Sequence, residues 1–170
     1  MTDGSSNMDG VGDVSPAPRA KRRKVQLRRR NLPLLLLKAR DGVAGYFRPI
    51  FKAHGLTEQQ WRVLRSLYEN GESSIGNVAR RCHILGPSLT GMLERMASAG
   101  MLVQRIDDSD LRRSFVSLTK LGRTTFEEMV PQIEEAYAVL EARVGSDELQ
   151  ELYRRTDELV ERLGLEKNWA

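Results

Sequence analysis

Residues 73–119 combine two short helical patterns with two short alternating segments, and they constrain the fold more than any other part of the chain. Ser73 or Ser74 is suited to cap the first helix, which ends near Cys82. Pro87 stands at the front of a second helix that runs to about residue 99. The apolar positions of this second helix share one side: Leu89, Met92, Leu93 and Met96.

These two helices are joined by the short link "HILG", and the outer side of the second carries small polar residues and an arginine. Such an arrangement is typical of a helix-turn-helix, whose second helix enters the major groove of DNA. Gly100 ends that helix, and "MLVQRI" and "SFVSLT" predict a hairpin of two strands. A hairpin in this place is a wing. Its tip, "DDSDLRR", concentrates charges of both signs.

Further helices are predicted on both sides of this segment. A helix beginning near Pro33 has a stripe with spacings of three and four, which predicts an inward face: Leu36, Leu37, Arg40, Val43, Ala44 and Phe47. Pro49 should kink or end it. The next helix has a possible capping box at Thr57 and Gln60, and its apolar face is Trp61, Leu64, Leu67 and Tyr68.

Two long helical patterns follow Thr119, and Pro131 should bend the first of them. Its apolar stripe consists of Ile133, Ala136, Tyr137, Leu140 and Val144. With the leucine-rich start of the first helix, these segments carry more apolar surface than a winged-helix domain of about 65–70 residues needs for its own core. A second copy of the chain is the expected cover.

Charge is distributed unevenly along the 170 residues. Residues 1–30 carry eight basic and three acidic side chains, whereas residues 119–170 carry seven and twelve. Residues 1–18 have little to bury and predict a disordered leader, and "RAKRRKVQLRRR" at 19–30 is a basic tail. The tail is either a solvated segment or an arm along DNA. An overall net charge of +4 with a basic front indicates a polyanionic partner.

Several classes of protein are disfavoured. The lone Cys82 excludes an intramolecular disulfide, and no apolar run is long enough to span a bilayer, so a cytoplasmic protein without membrane contact is expected. The chain has two separated histidines and no CxxC, HExxH or glycine-rich phosphate loop. We therefore expect no enzyme, no catalytic residues, no cofactor and no metal site.

The order of elements and several motifs resemble the MarR family of winged helix-turn-helix regulators over roughly residues 32–164. The most specific motif is "DLRRSFVSLTKLG", which is similar to the family's Asp-x-Arg wing, with Asp110 and Arg112 at the matching positions. The segments "ARDGVAGYFRPIFKAHGLTEQQWRVLRSL" and "ILGPSLTGMLERMASAGMLVQR" look closest to the branch that controls breakdown of homoprotocatechuate and related aromatic acids.

This resemblance implies a mainly α fold with a small β-hairpin wing, in which a winged helix-turn-helix lobe is joined to a helical dimerisation region. The chain is therefore expected to have four parts. The leader and basic tail at 1–30 depart from the compact family pattern, and the resemblance implies the other three, which are a dimerisation and ligand-binding helix at 31–56, the DNA-binding lobe at 57–118 and C-terminal dimerisation helices at 119–170. The resemblance further implies a homodimer on a pseudo-palindromic operator, repressing an aromatic-acid catabolic operon until a small phenol or aromatic carboxylate binds.

The DNA-contacting residues expected from this arrangement are Ser88, Thr90, Gly91, Arg95, Asp110, Arg112 and Arg113. Arg95 is suited to a bidentate contact with guanine, and Gly91 permits close approach. Arg112 would reach the backbone or minor groove from the wing while Asp110 holds its guanidinium. Solvated helix polarity and an ordinary surface ion pair are the alternatives.

For the ligand, Arg40 is the informative position because a guanidinium within an apolar stripe needs an anionic partner. An aromatic carboxylate packed against Tyr46, Phe47 or Trp61 would satisfy it, and so would a salt bridge to Glu58 or to the other chain of a dimer. Arg81, His83 and His54 are weaker candidates. Two rival functions remain, a redox-sensing repressor acting through Cys82 and a helical interaction dimer without DNA binding.

Overall fold

The computed structural model describes residues 29–107, 110 and 113–165. Within these residues the chain forms six helices and three short strands. The helices are α1 (Leu32–Ala53), α2 (Glu58–Asn70), α3 (Ile75–Cys82), α4 (Gly86–Ser98), α5 (Lys120–Val144) and α6 (Ser146–Arg162). The strands are β1 (Ser73–Ser74), β2 (Leu102–Ile106) and β3 (Ser114–Leu118). The predicted fold class, mainly helical with a small wing, is confirmed.

The first helix, α1, does not end at Pro49, as the sequence had allowed, but continues to Ala53. A proline inside a helix removes one backbone donor. Packing offsets that cost, since Phe51 is buried beyond the proline and its carbonyl accepts a hydrogen bond from the Leu56 amide at 2.8 Å. The first buried residue of α1 is Ala44, so the predicted inward stripe is open to solvent over its first half.

The second helix, α2, begins with the predicted capping box. The Gln60 amide donates to Thr57 Oγ1 at 3.2 Å, and the Thr57 amide donates to Gln60 Oε1 at 2.8 Å. These bonds satisfy two of the amides that a helix start leaves without partners. On the buried face of α2, the Trp61 ring stacks on two phenylalanine rings. Its centroid lies 5.7 Å from that of Phe51 and 4.9 Å from that of Phe126. This stack joins α1, α2 and α5.

The helices α3 and α4 form the predicted helix-turn-helix. The Asn77 amide donates to the Ser74 hydroxyl at 3.3 Å and caps α3, and His83 ends this helix in the left-handed region with φ of 50°. The predicted apolar side of α4 is buried, with Leu89 and Leu93 fully inaccessible. This burial fixes which side of α4 faces outward.

The sheet has the order β1–β3–β2 and is antiparallel throughout. The hairpin of β2 and β3 is the predicted wing, with Leu102 opposite Leu118 and Ile106 opposite Ser114. The strand β1 was not predicted, because two residues are too few for an alternating pattern. By pairing Ser73 with Val116, it attaches the base of the wing to the start of α3.

The last two helices, α5 and α6, follow the wing in the chain. The Gly122 backbone amide donates a hydrogen bond to Thr119 Oγ1 at 3.1 Å, which caps the start of α5. The helix then continues without a break past Pro131. Of the predicted stripe in α5, Ile133, Ala136 and Leu140 are buried. On α6, the Arg154 and Arg155 guanidiniums lower the pKa of the Glu151 carboxyl to about 2. No helix in the described ranges is long and apolar enough to cross a membrane.

Candidate nucleic-acid interface and ligand pocket

The outer face of α4 presents the residues that the sequence singled out. Ser88, Thr90 and Arg95 are exposed, while Gly91 is half-buried. The residue before the helix, Leu85, supplies no side-chain hydrogen bond to the first amides of α4. Backbone amides at a helix start carry partial positive charge and can face a phosphate. The face therefore combines small polar side chains, one guanidinium and an uncapped helix start.

Arg95 lies back along this face toward the start of α4. A methyl group added at Gly91 would meet the Arg95 Nη1 atom at 3.5 Å, so the guanidinium passes beside the glycine. Thr90 donates its hydroxyl proton to the Gly86 carbonyl at 3.3 Å. The hydroxyl oxygen can still accept hydrogen bonds through its two lone pairs. A polyanion approaching α4 thus meets Arg95 near the middle of the helix.

At the wing tip, the structure describes two of the three predicted residues. The Arg113 amide donates to the Asp110 carbonyl at 2.8 Å, and the Asp107 amide donates to the Arg113 carbonyl at 2.9 Å. These two hydrogen bonds fix the backbone positions of Asp107, Asp110 and Arg113 relative to one another. Arg112 lies outside the described residues, and so does its expected contact with Asp110.

The wing is tied to the loop before β1 by an interaction that the sequence did not reveal. Arg105 on β2 donates from Nε and Nη2 to the Glu72 carboxylate, at distances from 2.5 to 3.1 Å. This pairing lowers the pKa of Glu72. The centre of the Phe115 ring lies 4.6 Å from the guanidinium carbon of Arg105 and 5.6 Å from that of Arg113. Cation–π contacts of this kind hold both arginines beside the strand.

A cleft of about 480 Å³ lies where α1, α2, α5 and α6 meet. Of the ligand candidates, Arg40, Phe47 and Trp61 line it together. Most of its wall is apolar and includes aromatic rings, among them Phe47 and Tyr137 with centroids 4.7 Å apart. A volume of this size suits a single-ring molecule.

Charged groups at this cleft are mainly cationic. Arg40 forms an ion pair with Glu58, which is the salt bridge left open as an alternative by the sequence, and its side chain is 53% exposed. Arg62 and Arg65 also border the cleft. Hydrogen bonding to Glu69 raises the pKa of Arg65, against the lowering effect of burial. The cleft wall therefore holds three guanidiniums and one carboxylate, that of Glu58.

The other ligand candidates lie elsewhere. Tyr46 borders a separate hollow between α1 and α5. Arg81 borders a polar cleft between α2 and α3, where its Nη1 donates to Ser73 Oγ at 3.2 Å. His83 is exposed at the turn that leads to α4, and His54 lies 2.9 Å from Gln132 Nε2. Arg40, Phe47 and Trp61 are thus brought together, and these four are not.

Several residues that line the pocket were not predicted as ligand contacts, among them Glu58, Arg65 and Tyr137, and the first two of these had a sequence signal. Glu58 and Arg65 stand three residues before and four residues after Trp61, so all three share one face of α2. Tyr137 gave no such signal, because it comes from α5 and meets the pocket only through the packing of that helix. In the described ranges, no group of three acidic, histidine or cysteine side chains is placed to hold a metal ion.

Comparison with known proteins agrees with this architecture. The MarR family model matches residues 54–113, which contain α2, α3, α4 and β2. The homoprotocatechuate degradative operon repressor of Escherichia coli is 41% identical over 130 residues, covering 76% of this chain and 88% of that protein. These relatives are transcriptional regulators, which confirms the expectation of a non-enzymatic function.

Solved structures give the same answer. NadR in complex with 4-hydroxyphenylacetate is 35% identical with a TM-score of 0.67, and the match covers 79% of this chain and 96% of that one. The transcriptional repressor CouR, bound to a 23-mer DNA duplex, is 25% identical with a TM-score of 0.71, covering 76% and 92%. Given these matches over most of the described residues, the chain belongs to the MarR family of winged helix-turn-helix transcriptional regulators.

Proposed function

We propose that this regulator acts as a homodimer that represses an aromatic-acid catabolic operon and releases its operator when an aromatic carboxylate binds. The observation that carries the proposal is the cationic, ring-lined cleft at Arg40, Phe47, Trp61 and Arg65, which adjoins the helix-turn-helix lobe. Repression by binding DNA places its site of action in the cytoplasm.

The DNA contacts belong to α4 and the wing. Ser88 and Thr90, near the start of α4, contact phosphate or base edges, and Arg95 reads a guanine. From the wing, Arg112 and Arg113 would reach the adjacent backbone or minor groove, with Asp110 orienting the Arg112 guanidinium. The anchoring of Arg105 to Glu72 supports this role, because a fixed wing loses less conformational freedom on binding DNA.

Dimerisation rests on apolar surface that one chain leaves uncovered. Leu36 and Leu37 near the start of α1 are 48% and 56% exposed, and Leu152 of α6 and Leu163 directly after it are 51% and 62% exposed. Large exposed apolar residues clustered on terminal helices are typical of a subunit interface. A homodimer also presents two copies of α4, which suits a pseudo-palindromic operator.

An aromatic carboxylate fits the cleft on both shape and charge. The ring packs against Phe47, Trp61 and Tyr137, and the carboxylate accepts hydrogen bonds from a guanidinium. Arg65 suits this role because Glu69 competes for it only from an exposed surface position, where an ion pair contributes little. The relatives support the choice of ligand, since one represses a homoprotocatechuate operon and another binds 4-hydroxyphenylacetate.

Release requires that the ligand bind more tightly to the form of the dimer that does not fit DNA. The cleft is placed for this, because its wall includes α1 and α6 on one side and α2 of the DNA-binding lobe on the other. A ligand that draws these helices together changes the spacing of the two α4 helices.

The test is a titration of 4-hydroxyphenylacetate into the complex with a labelled operator, followed by fluorescence polarisation. The wild-type dimer should release DNA at micromolar to millimolar ligand. Loss of one charged hydrogen bond in Arg65→Gln should weaken the response roughly tenfold or more. Parallel titrations with phenylacetate, benzoate and cinnamate, which differ in the spacer between ring and carboxylate, identify the ligand class that releases DNA at the lowest concentration.

The matched control is Arg143→Gln, which removes an exposed cation from α5 away from the cleft. It should respond to ligand as the wild type does. If no aromatic acid releases the DNA, the small-molecule switch is wrong. If Arg65→Gln and Arg143→Gln respond alike, the assignment of this cleft is wrong.

A further inference from the structure

A second cleft of about 380 Å³ lies against α2 and shares Arg62 and Arg65 with the ligand pocket, but its other lining residues do not belong to that pocket. Its wall is polar and is formed by α2 and by the end of α3. Arg62, Arg65, Ser66, Glu69, Asn70, Arg81 and Cys82 line it. Three guanidiniums thus face one carboxylate, which leaves an excess of positive charge.

Glu69, the single carboxylate that lines this cleft, already has a hydrogen-bond partner. Glu69 Oε1 accepts a hydrogen bond from Arg65 Nε at 2.7 Å, four residues earlier on α2. Among the residues that the structure describes, neither Arg62 nor Arg81 forms an ion pair with a carboxylate. Both act on the Cys82 thiol, lowering its pKa against the larger raising effect of burial. Two uncompensated guanidiniums therefore flank one buried side chain, and they repel each other.

Two polar atoms in this cleft are buried without a hydrogen-bond partner among the described residues, Arg62 Nε and Ser66 Oγ. Arg62 uses one of its donors, since Nη1 bonds the Cys82 carbonyl at 2.7 Å. Ser66 is 8% exposed, and its hydroxyl lies close enough to the Cys82 thiol to lower the thiol's pKa without a well-aligned hydrogen bond. A buried donor without a partner destabilises the folded chain, so the cleft is incomplete without an acceptor.

One small anion would satisfy these groups together. We propose that this cleft binds a small oxyanion, a phosphate or carboxylate group, between Arg62 and Ser66 of α2 and Arg81 of α3. Oxygen atoms of such an anion accept from the Arg81 guanidinium and, after a small rotation of the two side chains toward the cleft, from the Arg62 Nε–H and the Ser66 hydroxyl, which are buried in the unliganded arrangement. Its charge also offsets the repulsion between the two arginines.

The position of this site distinguishes it from the aromatic pocket. It joins α2 to α3, the helix that precedes α4, whereas the aromatic pocket joins α2 to α1, α5 and α6. Arg62 and Arg65 border both clefts, whereas Ser66 and Arg81 line only this one, so substitutions at Ser66 and Arg81 test it separately from DNA release by aromatic acids.

Isothermal titration calorimetry on the full-length protein tests the site, with chloride used to keep ionic strength constant. Inorganic phosphate and acetate are titrated separately, which identifies whether phosphate or carboxylate is the preferred group. We expect one saturable event per chain with at least one of them. Arg81→Gln should bind roughly tenfold more weakly, because it removes a charged donor.

Ser66→Ala provides a second variant that removes an unpaired hydroxyl and leaves the helix intact; it should weaken binding severalfold. The matched control is Arg80→Gln, which removes the neighbouring exposed charge of α3 outside the cleft, and it should bind as the wild type does. Absence of saturable binding by both anions overturns the site. Equal weakening in Arg80→Gln and Arg81→Gln also overturns it, because the attraction is then diffuse.

Discussion

At the scale of single residues, the arginines of this chain differ by the partner that each one has. Arg105 forms an ion pair with Glu72 and attaches strand β2 of the wing to the loop before β1. Arg62 and Arg81, by contrast, have no carboxylate partner in the described part of the chain. Arg40 was expected to be drawn into an apolar stripe, yet it is exposed and paired with Glu58. Sequence spacing identified the face of the helix correctly, but it does not report how far along the helix the core extends.

Cys82 is the residue on which a redox-sensing function would depend. Its side chain is 2% exposed, and burial raises the pKa of the thiol. A raised pKa leaves less of the reactive thiolate at neutral pH. We therefore expect the native protein to react with iodoacetamide at least about tenfold more slowly than the protein unfolded in urea, and its operator binding to survive stoichiometric peroxide.

Thiol labelling followed by mass spectrometry measures the first quantity, and polarisation of a labelled operator measures the second. Rapid native labelling, together with DNA release that Cys82→Ser abolishes, would establish the redox rival instead.

At the scale of elements, Gly122 controls how α5 joins the wing. A methyl group there would overlap the Met101 carbonyl oxygen and come within 3.3 Å of Leu118 Cδ2. The backbone cannot move aside easily, because the Thr119 amide donates to that same carbonyl at 3.0 Å. Gly122→Ala should lower the free energy of unfolding by about 1–3 kcal/mol or more, as measured by urea denaturation.

Gly45→Ala is the matched control. It lies within α1 and has nothing within 4 Å of the added methyl group. Replacing a helical glycine with alanine should raise the free energy of unfolding by roughly 0.5–1 kcal/mol. Similar effects of the two substitutions would contradict the close packing of α5 against Met101.

The elements with strong local signals could be predicted. Thr57 and Gln60 marked the start of α2, Gly100 marked the end of α4, and the wing followed from two alternating runs. The two-residue strand β1 has no local signal, since it forms only where Val116 supplies a partner. Likewise, tertiary packing of Phe51 outweighs the effect of Pro49, which no local rule predicts.

At the scale of the whole molecule, the ligand pocket was only partly predictable. Arg40, Phe47 and Trp61 were identified because each carries a ring or charge on an apolar face, whereas Tyr137 and Leu152 join them only in three dimensions. Tyr46 and Phe47 are neighbours in sequence but point into different hollows, because successive positions on a helix lie about 100° apart.

The basic tail at residues 19–30 adds positive charge ahead of the helices described above. All but its last two residues lie outside the described part of the chain. Lysine and arginine contacts with phosphate release counterions, so each contributes to the salt dependence of binding. Deleting residues 1–30 should lower operator affinity and flatten the slope of affinity against salt, while the preference among sequences stays unchanged. Polarisation titrations between 50 and about 200 mM salt measure both. An unchanged slope would make the tail a solvated segment.

The most direct measurement of the central proposal is sedimentation of the purified protein, alone and with an operator duplex, over a series of salt concentrations. We predict a dimer that binds one duplex per two chains, with affinity falling steeply as salt increases. A monomer, or a dimer that fails to bind duplex DNA even at low salt, would contradict it.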